Sequence, residues 1–166
     1  MQPGSRQLAY LIMALLVIAA SAVSARAEHA LIDLQVIAPD DRAEATSDQE
    51  PPIGGVNPRP KLAVRAGDPL ILHFILTNAY PHGLLKDVTV RYFVVRTDKI
   101  GEKQLPDLEG HTVTQGHVVL NLKPKCRVGA RLQFRIDKPG IYLVRVDTLN
   151  THSDHEHFSA IDLEVK

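Results

Sequence analysis

The chain has 166 residues, with 19 Lys or Arg against 19 Asp or Glu, eight histidines, one cysteine and no tryptophan. A formal net charge of zero gives no electrostatic pull toward nucleic acid or an anionic membrane surface. A single cysteine, Cys126, excludes an internal disulfide, so the core must hold by packing alone.

The first element is a targeting signal. Arg6 supplies positive charge, Leu8 to Val23 is a run of 16 residues without charge, and Ala25-Arg26-Ala27 is a small-x-small cleavage pattern. Residues 1–27 therefore read as a secretory signal peptide. The run is short for a membrane span of ~20 residues. No cysteine lies near the cleavage point to carry a lipid, so no stable membrane anchor is expected after cleavage. The mature chain from Glu28 has 139 residues and, without Arg6 and Arg26, a charge of −2. That length suits one domain, exported to the periplasm or outside the cell.

Residues 28–37 contain an apolar stretch, Leu31–Ile37, expected as a detachable first edge strand. Residues 38–60 change character, with Pro39, Pro51, Pro52, Pro58 and Pro60 among Asp40, Asp41, Glu44, Asp48 and Glu50. Proline and like charge oppose packing, so an acidic linker or long loop is expected there. From Lys61 the pattern is period two. Leu70, Leu72, Phe74 and Leu76 alternate with more polar neighbours, as do Val88, Val90, Tyr92 and Val94. The same alternation recurs in 117–122, 130–136, 141–149 and 157–165. Turn signals separate the runs: Ala66-Gly67-Asp68-Pro69, Pro81 with Gly83, Lys123-Pro124-Lys125 and Lys138-Pro139-Gly140. About seven short strands at this spacing predict an all-β domain over 61–166 made of two packed antiparallel sheets.

Three stretches, AGDPLILHFILTN (Ala66–Asn78), DVTVRYFVV (Asp87–Val95) and KPGIYLVRV (Lys138–Val146), carry a resemblance to the immunoglobulin-like sandwich superfamily in its bacterial and fibronectin-III-like variants. Tyr142, just after Pro139-Gly140, looks like the tyrosine that pins the corner before the sixth strand of such folds. The chain departs from antibody domains in having neither a tryptophan nor a cysteine pair. Adhesion, recognition, copper-transport and enzyme-accessory modules all use this fold, so the resemblance implies architecture and leaves function open.

The resemblance also implies a common end for the connections near 78–86, 123–129 and 150–156. His82, Cys126, His152, His155, His157 and His29 would gather there. The segment THSDHEHF, Thr151–Phe158, holds three of these histidines, with Asp154 and Glu156 available as partners or alternative ligands. Neutral imidazole binds zinc, copper or nickel, and residues two apart on a strand face the same way, so His155 and His157 would point together. Cleavage one residue earlier would expose Ala27-Glu28-His29, a sequence that binds copper(II) or nickel(II) in a plane. The plain alternatives are a solvated turn, since no standard zinc spacing is present, and a pH-sensing cluster of imidazoles.

Catalysis is not expected: there is no G-x-S-x-G, no glycine-rich phosphate loop and no carboxylate pair in an apolar setting. An interaction patch is expected from Ile71, His73 and Ile75 on one strand and Phe93 and Val95 on the next, all on outward parity. The sequence thus predicts an exported binding module for a protein or envelope partner, with a periplasmic divalent-metal binder as the alternative.

Overall fold

The computed structural model describes residues 30–47, 59–101, 106–151 and 157–166. The expected signal peptide, His29, residues 48–58, His152 and His155 lie outside the described residues.

Alternation becomes nine strands, two more than the seven expected. They are β1 (Ala30–Ile37), β2 (Arg42–Thr46), β3 (Lys61–Val64), β4 (Leu70–Asn78), β5 (Leu85–Thr97), β6 (Thr112–Leu122), β7 (Arg127–Phe134), β8 (Gly140–Leu149) and β9 (His157–Val165). One sheet has the order β2-β1-β4-β7, the other β3-β9-β8-β5-β6. Every neighbouring pair is antiparallel except β3 with β9. Among the described residues there is no helix.

The two sheets share one core. Ile32 and Leu34 of β1 and Leu72 and Leu76 of β4 meet Val144 and Val146 of β8 and Ile161 and Leu163 of β9, all at most 1% exposed. Full burial of a side chain of this size contributes roughly 1.5–3 kcal/mol each, so the sheet-to-sheet contact dominates the stability. A smaller cluster, Phe93, Val95, Leu143 and Ala160, lies on the outer face of the five-stranded sheet under Leu108.

The stretch expected as a linker contains β2. Its single well-buried residue is Ala43, while Arg42 and Glu44 face water, which suits a short, charged edge strand. Gln35 Nε2 donates to Glu44 Oε1 at 2.9 Å, and the Ile32 amide donates to Ser47 Oγ at 2.8 Å. Because β2 takes the edge, β1 is an interior strand between β2 and β4 and not the detachable edge expected. Strand β6 starts five residues before the expected position, since its first half, Thr112–Gly116, is a polar edge with little apolar signal.

Two buried polar side chains hold connections. Tyr142 is 3% exposed, and its hydroxyl donates to the Lys138 carbonyl at 2.8 Å, closing the turn before β8. Asp162 in β9 is fully buried; its Oδ1 meets Arg59 Nη1 at 3.0 Å and its Oδ2 accepts from the Gly101 amide at 2.9 Å. One carboxylate thereby fixes the entry to β3 and the turn after β5 on the final strand.

Candidate functional site

Strands β5 and β8 alternate apolar inward positions with charge at outward ones. Antiparallel register sets Arg91 opposite both His117 of β6 and Asp147 of β8, and Asp147 opposite Phe158 of β9. A four-strand row, His117–Arg91–Asp147–Phe158, therefore crosses the outer face of the five-stranded sheet. The Arg91 guanidinium donates in a fork, Nε to Asp147 Oδ1 at 2.7 Å and Nη2 to Oδ2 at 2.9 Å. Arg145 Nε donates to Asp147 Oδ2 at 3.1 Å. Asp147 is fully buried and Arg145 nearly so, whereas the Arg91 side chain is 31% exposed. Arg145 lies 4.3 Å from the Phe158 ring centroid and Arg91 lies 5.4 Å from that of Phe93, distances at which a cation is attracted by the ring face.

Two guanidiniums converge on the Asp147 carboxylate. Around it, on the same face, Val119, Leu149 and Phe158 are 56%, 39% and 39% exposed. Val119 and Leu149 flank Thr89 in the adjacent cross-strand row. The opposite half of the face is closed where Leu108 packs on Phe93, Val95, Leu143 and Ala160. The open half combines apolar contact area with a guanidinium, the chemistry found at the centre of protein–protein interfaces.

The expected interaction patch divides. Phe93 and Val95 are buried under Leu108 and form no surface. Ile71, His73 and Ile75 are half-buried on the outer face of the other sheet, on the opposite side of the molecule. Parity assigns a side chain to the inside or outside of its own sheet only, and β4 and β5 belong to different sheets. Around His73 and Ile75 the structure shows instead a polar hollow of about 230 Å³, also lined by Asp33, Gln35, Glu44, Thr46 and Arg127. There Thr46 Oγ1 donates to Asp33 Oδ1 at 3.2 Å, Arg127 Nη2 reaches Asp33 Oδ2 at 3.4 Å, and His73 Nδ1 lies 3.4 Å from Gln35 Oε1.

At one end of the molecule the connections 78–85 and 122–127 are tied together by Asn78. Its Nδ2 donates to the Gly83 and Leu122 carbonyls, each at 2.8 Å, and its backbone amide donates to the Cys126 carbonyl at 3.0 Å. The same end receives the start of β9, because His157 pairs with Thr148 while Leu149 pairs with Thr89 near the start of β5. His82 and Cys126 are exposed there. His157 is fully buried, on the core parity of β9, and so presents no imidazole to an open rim. Among the described residues no three His, Cys, Asp or Glu side chains come together in a metal-holding group.

The Arg91–Asp147–Arg145 cluster was not among the residues expected from sequence. Its signal was present as three charges on outward parity in β5 and β8, but only the β5–β8 register makes them neighbours.

No family model matches the chain, and no curated protein matches it. Among solved structures, it is similar to the PmoD soluble domain from Methylocystis sp. ATCC 49242 (Rockwell), with 17% identity over 81% of this chain and 90% of that one and a TM-score of 0.43. It is also similar to a family 123 glycoside hydrolase from Clostridium perfringens, with 12% identity over 69% of this chain but only 24% of that one and a TM-score of 0.45. Likeness at this level bears on neither activity nor ligand.

Proposed function

We propose that the protein is an exported, non-catalytic binding module of the immunoglobulin-like sandwich type, which takes a protein partner on the open half of its five-stranded sheet. The carrying observation is the exposure of Val119, Leu149 and Phe158 around the Arg91–Asp147–Arg145 cluster, on a face whose other half is covered. Exposed apolar area beside the part-exposed Arg91 guanidinium favours a partner surface that brings apolar side chains and a hydrogen-bond acceptor. The strand order and the Tyr142 bond to Lys138 support the immunoglobulin-like reading, and the N-terminal run with its Ala25-Arg26-Ala27 pattern supports export. Phe158→Asp and Leu149→Asp are each expected to weaken capture of the partner by at least about tenfold, as truncation at an interface centre does. Near-UV circular dichroism should stay unchanged. A properly folded double variant that retains the partner at wild-type yield rejects this surface.

A second reading, binding of zinc, copper or nickel, draws on the convergence of the connections that carry His82 and Cys126 with the start of β9. Calorimetric titration of the protein with each ion is then expected to show binding tighter than ~100 μM, lost in a variant with His82, His152 and His155 replaced by alanine. His157 is left in place because its burial makes it part of the fold. Absence of a heat signal with all three ions ends that reading.

A further inference from the structure

Each sheet edge is an unfinished ladder, and three of the four edges are protected. Strand β2 has five residues including Arg42 and Glu44, β3 has four residues including Lys61, and β7 carries Arg127 and Arg131. Short length and charge are the usual defences against pairing with another chain. The fourth edge, β6, has eleven residues, TVTQGHVVLNL, with no Lys, Arg, Asp, Glu or Pro. Val113 and Val118 on it are 39% and 47% exposed. Among the described residues its backbone pairs on one side only, with β5.

The residues flanking this strand indicate what completes it. Exposed Asp107 and Glu109 precede it, and exposed Lys123 and Lys125 follow it. Gly116 lies midway between Glu109 and Lys123, and also midway between Asp107 and Lys125. A second β6 laid antiparallel about that midpoint sets acidic flank against basic flank at both ends and Val113 beside Val119 of the second copy. A parallel arrangement would set like charges together. The uncharged middle offers no repulsion to itself.

We propose that β6 pairs antiparallel with β6 of a second copy of this chain, about a two-fold axis near Gly116, joining two five-stranded sheets into one. Such a contact is isologous, so it closes at two copies and does not propagate. The two share Val119, but self-association is measured on the purified protein alone, so its failure is distinguishable from failure of the partner-binding reading.

Sedimentation velocity of the processed, exported protein up to about 1 mM, where even a weak pairing is populated, is expected to show a concentration-dependent dimer. Hydrogen exchange should slow at amides of β6 as the dimer forms. Val118→Lys, at an exposed position, should yield a monomer with unchanged thermal unfolding. The variants D107K/E109K and K123E/K125E should each dimerise at least about tenfold more weakly, through like-charge repulsion, and should form a heterodimer when mixed. A single monomeric species across the whole range overturns the proposal. So does a dimer that persists in Val118→Lys, or a mixture of the two charge variants that stays apart.

Discussion

Replacing Asp147 by alanine is expected to destabilise the protein by about 3–5 kcal/mol, the usual consequence of removing one member of a buried ion cluster. The carboxylate is fully buried and receives three hydrogen bonds, two from Arg91 and one from Arg145. Without it the nearly buried guanidinium of Arg145 loses one anionic partner, and the β5–β8 junction loses its fork. Since single domains are stable by only about 5–15 kcal/mol, the change removes a large share of the total. Chemical denaturation followed by far-UV circular dichroism measures it. A triple variant in which Arg91, Arg145 and Asp147 all become apolar residues should recover much of the loss, because no charge is then left without a partner. If alanine alone costs under 1 kcal/mol, the cluster is not a buried ion network in solution.

The second large effect concerns β1. Ile32→Ala is expected to cost about 2–5 kcal/mol, the range for a large-to-small change at a fully buried site. Ile32 is inaccessible to solvent and sits opposite Leu76 in the interior of the four-stranded sheet. A detachable edge strand would instead tolerate the change with little loss. The same measurement therefore decides whether the N-terminal stretch belongs to the domain core.

How far the sequence can be read depends on how each strand is buried. Strands β4, β8 and β9 end within one residue of their expected limits, because Leu, Val and Ile mark one face of each at strict period two. Strand β2 escaped because its buried positions are alanines set among charges, and alanine carries almost no periodic signal. The flanking prolines then favoured a loop. The gathering of the 78–85 and 122–127 connections at one end follows from strand order, whereas the burial of His157 does not: its strand begins within a polar segment that reads as a turn tip. The Arg91–Asp147–Arg145 cluster depends on register between strands more than 50 residues apart, which local pattern cannot supply. The divided fate of Ile71, His73, Ile75, Phe93 and Val95 has the same origin, since alternation does not say which sheet a strand joins.

The place of Asp162 bears on when the domain can form. Strand β9 pairs with both β3 and β8, and its buried carboxylate reaches back 103 positions to Arg59. Such distant closures raise contact order and slow folding. Without β9, β3 has no partner strand, the turn at Gly101 loses its anchor, and Ile161 and Leu163 are missing from the core. The native state therefore waits on β9. Loss of β9 would leave β3 unpaired and β8 with an open edge, an association-prone state.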